Sequence, residues 1–425
     1  MCHSKYVKTP YLRIFPVAPC LALLILSAPP APAQDFSALA RQSDFKTFIH
    51  DFAEQYAYRD RPEKSWLTWE SRYAAAIQKA SSREAFDTIL ALALSELHDF
   101  HAEVRSPVPN RWLPVPTFAD IWAEFQENQA VVLAVRQGSD AERAGITPGD
   151  RIADVGTAPV GQAVGERLGA TANQPDTAAR NWALLSVLAG RSDEARTVTF
   201  SHKGGPRQTV TLPLKRRFDR GPGALSASAL PGNVGVIRIN NSLGDESTVA
   251  AFDQALDRLA STKGLILDLR DVPSGGDSSV ALGIMGRFIE TMLPYQRHRI
   301  PGYGQPDVER NWLELVAPRG PFTYKAPLVI LVDHWTGSMG EGMAIGFDAM
   351  HRGVVAGTTM AHLAGAVSDF RLPKTDVDVA YATEQLFHVN GTPRQDWLPP
   401  VLVDLPVTKE NDAILAVGLK NLAGK

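Results

Sequence analysis

The stretch Leu328–Gly346, LVILVDHWTGSMGEGMAIG, limits the fold more than any other part of the chain. It opens on five consecutive apolar residues, Leu328–Val332, bounded upstream by Pro327. A run that short and that rich in β-branched side chains reads as a strand buried on both faces. A tight turn, Thr336-Gly337-Ser338, follows, and then Met339, Met343, Phe347 and Met350 fall at helical spacing. Glu341, three positions after Ser338, completes the pattern of a capping box. A second strand–turn–helix of the same kind lies upstream: Gly264–Arg270, then Pro273-Ser274-Gly275-Gly276, then a helical stretch from about Ser278 to Met292. Before it come a strand, Val234–Ile239, and a helix, Asp245–Leu259. Strand and helix alternating in this way imply right-handed crossovers and a largely parallel sheet, an α/β architecture.

Two strand-to-helix loops of one sheet converge at the strand C-termini, where ligands bind. One of them offers adjacent glycines, whose backbone N–H groups can approach a ligand closely. The other offers Ser338 at a helix N-terminus, where free N–H groups and the helix dipole favour developing negative charge. That is a recipe for an activated nucleophile with an oxyanion site. Taken singly, each loop has a plainer reading: turn punctuation for the glycines, an ordinary N-cap for the serine.

Residues 1–33 read as a secretory signal peptide: Lys5, Lys8 and Arg13, an apolar segment Val17–Leu26, and Ala31-Pro32-Ala33 as a cleavage pattern. The expected destination is export, to a periplasm or the medium. Both cysteines, Cys2 and Cys20, fall inside that segment, so the mature chain has neither disulfide nor thiol chemistry and depends on core burial. Loss of the segment takes the formal net charge from −3 to −6, and no basic stripe appears. Nucleic acid and anionic membrane are therefore not expected partners, and no further apolar stretch is long enough to span a bilayer. Residues 34–110 read as a helical unit. Ser81 and Glu84 form a capping box, with Phe86, Ile89, Leu90, Ala93 and Leu97 along one face. This unit runs into His98-Asp99-Phe100-His101, and a histidine just past a helix end beside an acid suits proton transfer, although an isolated pair is more often structural.

Residues 111–217 change character. A strand, Ala130–Val135, leads to a short capped helix, Ser139–Ala144, and then to Gly145-Ile146-Thr147-Pro148-Gly149-Asp150-Arg151-Ile152. From Ala141 to Ile152 this resembles a PDZ domain, a module that takes an extended peptide or chain end as an added strand. The long helical segment 160–192 suggests a partly covered groove, and the Trp and Phe residues of 111–125 are expected to fill the domain junction.

Residues 218–425, opening after Arg220-Gly221-Pro222-Gly223, form the third unit. Here LILDLRDVPSGGD resembles the D-x-R-x-N-x-G-G signature of the C-terminal processing and tricorn-core serine peptidases, and VDHWTGSMGE is similar to their nucleophile segment. The resemblance implies a crotonase-like ααβ domain and hydrolysis of peptide bonds. Ser338 would be the nucleophile, and the N–H groups of Met339 and of Gly275 or Gly276 the oxyanion donors. One branch of the family takes its base from a lysine about 25 residues after the serine; Leu363 stands there. The tricorn-like branch uses a histidine in a D-x-H context, which Asp99-Phe100-His101 matches, so the resemblance makes His101 the general base. That branch also implies a carboxylate near the C-terminus, for which Gln395, Asp396 and Glu384 are the candidates. The glycine motif departs from the signature, with Val272 in place of its Asn and Ser274 in place of its first glycine.

Three functions follow. The first is an exported serine peptidase acting on polypeptide, with the PDZ-like unit presenting the substrate. The second is a catalytically weak or inactive peptide-binding protein, and the third a hydrolase of a non-peptide ester. No cofactor and no metal is implied: His298, His334, His351, His362 and His388 lack ligand spacing. Nothing in these residues sets an oligomeric state.

Overall fold

A computed structural model describes residues 36–61, 65–171, 173, 175–215, 218, 221–302, 308–403 and 411–423. The expected signal peptide and Arg220 of the linker lie outside the described residues.

Three helices begin the described chain: α1 (Ala38–Gln55), α2 (Trp69–Lys79) and α3 (Arg83–Ser95). Ser82, not Ser81, caps α3, accepting the Ala85 N–H at 3.2 Å, because the helix starts one residue later than the capping-box pattern suggests. The helices meet over Phe48, Phe52, Trp69 and Phe86, and a two-residue strand, β1 (Glu103–Val104), follows.

The second unit is an antiparallel sheet in the order β2-β3-β4-β6-β7: β2 (Ile121–Gln126), β3 (Gln129–Val135), β4 (Arg151–Val155), β6 (Arg196–Ser201) and β7 (Arg207–Leu212), with β5 (Ala158–Pro159) beside β4. The short helix α4 (Asp140–Arg143) starts at Ser139 as the sequence suggested, and α5 (Val160–Leu168) and α6 (Thr177–Ala189) make up the long helical segment. Helix α6 lies along β2, the strand at the edge of this sheet, and Asn181 Oδ1 accepts the Phe125 N–H at 2.9 Å. The side of β2 to which a peptide would add is thus already partly engaged. A fully buried pair, Arg196 with Asp120 at 2.7 Å, ties the entry of β2 to β6.

The third unit is built on a six-stranded sheet, β17-β14-β13-β10-β9-β8: β8 (Leu225–Leu230), β9 (Val234–Ile239), β10 (Gly264–Asp268), β13 (Leu328–Val332), β14 (Val354–Gly357) and β17 (Val401–Leu402). All neighbours pair in parallel except β8, which is antiparallel to β9. The unbroken apolar runs follow from two covered faces. Leu265, Leu267, Leu328, Ile330 and Val332 point to a core shared with α7 (Ser247–Arg258), α8 (Ser278–Met285) and α9 (Met339–Ala349). Ile266, Val329 and Leu331 point the other way, to α10 (Ala413–Ala423). Helix α8 ends at Met285, short of the expected Met292; a 3-10 turn follows, and the chain is extended again from Leu293.

Four further strands were not legible in the sequence: β11 (Leu293–Pro301), β12 (Glu309–Val316), β15 (Ala366–Arg371) and β16 (Asp378–Phe387). They form an antiparallel sheet with β1, in which β1 from the helical region pairs with β16. Leu372, Val379, Tyr381 and Ala382 of the hairpin share a core with Phe52, Tyr56 and Leu90. That pairing carries the residues just before β1, His101 included, to the third unit. The second unit joins the third over Val115, Ala119, Trp122, Trp335 and Leu363, with Trp335 Nε1 donating to the Ala119 carbonyl at 2.8 Å. Of the aromatics expected at the domain junction, Trp122 is there, whereas Phe125 belongs to the core of the second unit and Trp112 packs against that core.

Candidate active site

Strand β13 delivers the chain to a turn fixed by its own side chains. The Thr336 hydroxyl donates to the Leu269 carbonyl (3.1 Å) and accepts the Asp333 N–H (3.0 Å), and Asp333 accepts the Trp335 N–H at 2.9 Å. Ser338 follows with φ +51° and ψ −112°, a left-handed conformation uncommon for a residue with a side chain. Strain of this kind costs about 1–3 kcal/mol and persists where the surroundings hold it. Two contacts hold it here: Gly337 N–H donates to the Val272 carbonyl at 3.2 Å, and Ser338 N–H donates to the Glu341 carboxylate at 2.7 Å. Glu341 is completely buried, and burial raises its pKa, opposed most by the nearby Arg394.

The glycine turn is stitched to the nucleophile turn at one atom. The Val272 carbonyl that accepts Gly337 N–H also accepts Gly275 N–H at 3.3 Å. Gly275 has φ +64°, and a Cβ built there would lie 2.4 Å from Ser338 Cβ and 3.0 Å from Met339 N. Only glycine lets the turn come this close to the serine. Because Gly275 N–H is already given to Val272, Gly276 is the better-placed of the two expected glycine donors, and it lines the cleft with Ser338 and Met339. Met339 opens α9, so its N–H is among the first four without an intrahelical acceptor. Ser274, which replaces a glycine of the signature, is held by Asn241: its N–H donates to Oδ1 at 2.9 Å and its hydroxyl accepts Nδ2 at 3.0 Å.

His101 lines the same cleft, of about 900 Å³. Its Nδ1 lies 2.7 Å from the Ala364 carbonyl. A carbonyl only accepts, so Nδ1 carries the proton and Nε2 keeps its lone pair. Burial lowers the His101 pKa, with Asp99 acting against it and Arg394 adding to it, which favours the neutral ring. Asp99 fixes the turn, accepting the His101 N–H and the Tyr56 hydroxyl at 2.9 Å each.

Residues Leu363-Ala364-Gly365 bind the two halves together. Leu363 N–H donates to Glu341 at 3.3 Å, while the next residue supplies the carbonyl for His101. Ser338 and His101 are therefore each tied, through at most one side chain, to neighbouring residues of one segment. That segment is fastened by Arg394, 3% exposed, whose Nη2 donates to the Leu363 carbonyl at 3.0 Å and the Gly365 carbonyl at 2.9 Å. Leu363 itself is buried in the junction core, where a lysine would need a partner.

The three candidates for an orienting acid lie apart. Asp396 is exposed on a 3-10 turn. Gln395 Oε1 accepts the Tyr58 hydroxyl at 3.4 Å, and its carbonyl pairs with His362 Nδ1 at 2.5 Å. Glu384 lines the cleft but is bound to His298 Nδ1 at 2.7 Å, and Glu314 meets the other ring nitrogen at 2.8 Å. Hydrogen bonds to these two carboxylates outweigh burial and raise the His298 pKa. The His101 ring is thus held by a main-chain carbonyl and by none of these three side chains. Sequence reasoning missed Arg394 and the His298 cluster, because their partners lie on strands that pair only in the folded chain. Among the described residues, no group of three or more His, Cys, Asp or Glu side chains could hold a metal ion.

Residues 233–398 match the family model described as Peptidase family S41. That match spans less than half of the chain and supports a serine-type peptidase, a hydrolase. No curated protein sequence matches it. Among solved structures it is similar to mature CPAF complexed with lactacystin (15% identity, 91% of this chain and 97% of that one, TM-score 0.57). It is also similar to the photosystem II D1 C-terminal processing protease (18%, 86% and 93%, TM-score 0.53). A further similar structure is a putative peptidase from Parabacteroides merdae (15%, 90% and 96%, TM-score 0.52). At these identities the likeness is one of fold.

Proposed function

We propose that this chain is an exported peptidase in which Ser338 is the nucleophile and His101 its general base, with a PDZ-like second unit presenting polypeptide to a crotonase-like third unit. The observation that supports the reading is the segment Leu363-Ala364: the Ala364 carbonyl accepts from His101 Nδ1 and leaves Nε2 its lone pair, Leu363 N–H is bound to the Glu341 that also holds Ser338 N–H, and Ser338 and His101 line one cleft. His101 Nε2 takes the Ser338 hydroxyl proton as Oγ attacks the scissile carbonyl carbon. The tetrahedral oxyanion accepts hydrogen bonds from the N–H groups of Met339 and Gly276, one of them at the positive end of α9. Collapse expels the amine, which leaves with the proton from His101; water then repeats the sequence on the acyl-enzyme. The Ala364 carbonyl does what a carboxylate does in a triad, fixing ring and tautomer without adding charge, so none of Gln395, Asp396 or Glu384 is required for that role.

Incubation with an unfolded protein tests this. The wild type is expected to fragment it, while Ser338→Ala and His101→Ala leave it intact. Binding without cleavage by the wild type favours a peptide-binding protein; turnover of a small ester without proteolysis favours an ester hydrolase.

A further inference from the structure

Beyond the Ser338 cleft, the described residues contain a second cavity, of about 310 Å³, between α3, the segment 99–114 and helices α5 and α6. Its wall and that of the cleft share Phe100, Glu103, Arg111 and Pro114, so one extended chain can occupy both. Its floor is two arginines on two indoles. The Arg167 guanidinium lies 4.0 Å from the Trp182 ring centroid and 5.2 Å from that of Trp112, and Arg191 lies 4.1 Å from Trp112.

Two like charges side by side on aromatic surface are costly unless an anion joins them. The nearby acids are committed elsewhere. Asp99 serves Tyr56 and the His101 N–H, Glu103 pairs with Arg105, Glu194 accepts from Asn110 at 2.6 Å, and Glu166 accepts from Gln162 at 2.8 Å. Arg191 donates to the Asn110 carbonyl at 2.8 Å. Arg167 Nε and Trp182 Nε1 are buried with no hydrogen-bond partner among the described residues. Burial, and then Arg191, push the Arg167 pKa down to about 9, the mark of a cation held without a counter-charge.

We propose that this cavity is a carboxylate-binding subsite, in which Arg167 and Arg191 hold a carboxylate of the peptide whose scissile bond lies at Ser338. The proposal rests on the peptidase reading for the identity of its ligand. A planar guanidinium already stacked on an indole is preorganised to take a carboxylate through two N–H groups. Trp182 also contacts Phe100, the residue before His101, at 5.8 Å between ring centroids.

The test is a tryptophan-emission titration of the full chain, with cleavage measured separately. The probes are acetyl-trialanine as free acid, its C-terminal amide, and acetyl-Ala-Glu-Ala-amide. The free acid is expected to bind about tenfold tighter than the amide, equivalent to about 1.4 kcal/mol. That preference should vanish in Arg167→Gln and Arg191→Gln and survive in part in Arg167→Lys. A preference for the glutamate-containing amide instead assigns the subsite to an acidic side chain rather than a chain end. Equal response to acid and amide, or none up to about 10 mM (a range set by the weakest specific affinities), overturns the proposal whether or not the chain cleaves peptides. Arginine-dependent binding of the acid without any proteolysis keeps the subsite and removes the peptidase reading. If either glutamine variant melts early, the other carries the comparison.

Discussion

Replacing Arg394 by Met tests how the base is held. Its Nη2 is shared by the carbonyls of Leu363 and Gly365, at 3.0 and 2.9 Å, and these flank the Ala364 carbonyl that orients His101. The side chain is 3% exposed, so water does not replace it. Two buried acceptors losing a charged donor cost about 1–3 kcal/mol each, or roughly 4 kcal/mol together, which lowers the melting temperature by several degrees. Catalysis should suffer more specifically. Release of the Ala364 carbonyl lets the imidazole drift, and displacement on the order of 1 Å costs about 100-fold in kcat. The pH profile moves as well. Burial and then the Arg394 charge hold the His101 pKa below its ordinary value, against the pull of Asp99. A base works when deprotonated, so the acidic limb of kcat/KM in the wild type should lie below pH 6.5, the ordinary histidine value. Without the cation the folded pKa rises and that limb shifts toward neutral pH. The assay is kcat/KM from pH 4.5 to 8.5 on an internally quenched peptide, with Arg394→Lys as the charge-restoring control. A folded Arg394→Met enzyme with wild-type kcat and an unmoved acidic limb refutes the reasoning.

Four further outcomes are expected. Gly275→Ala places a Cβ 2.4 Å from Ser338 Cβ at φ +64°, and should abolish measurable turnover while costing about 1–2 kcal/mol in denaturant unfolding. Glu341→Gln keeps the shape of the Ser338 N–H acceptor but removes its charge, and should lower kcat about tenfold with little change in KM. Asp120→Asn leaves the fully buried Arg196 without its anion, and should cost about 3–5 kcal/mol in urea unfolding. Asp333, pushed up to about 7 by burial, binds a proton more tightly folded than unfolded, so its charge destabilises the fold above pH 7 and that penalty disappears as pH falls toward 4. Asp333→Asn should accordingly raise the melting temperature at pH 8, with the gain shrinking toward pH 5.

The parallel sheet was legible because both its faces are covered, which leaves five-residue apolar runs such as Leu328–Val332 with no other reading. The approach of the Ser338 turn to the Gly275-Gly276 turn was legible because two strand-to-helix loops of such a sheet must meet at its C-terminal end, and in the structure they meet at the Val272 carbonyl. His101 sits where a histidine suits proton transfer, just past a helix end beside an acid, but only a family pattern singled it out, since its placement depends on β1 pairing with β16 across most of the chain. Arg394 gave no local signal, because both its acceptors are main-chain atoms about 30 residues upstream. The partner of the His101 ring gave no local signal either, because it is a main-chain carbonyl, and every residue has one. The over-long helix after Ser278 came from reading continuous apolar character as one element, where the chain leaves α8 at Met285 and re-enters a sheet.

The central claim, that a neutral imidazole from the helical region activates Ser338, is tested most directly by the rate at which a fluorophosphonate inactivates the enzyme. The wild type should be labelled once per chain, at Ser338, with a rate that rises through a single titration below pH 6.5. His101→Ala should slow labelling by roughly 10⁴-fold while the fold is retained. Labelling of folded His101→Ala at the wild-type rate, or at a serine other than 338, would contradict the account.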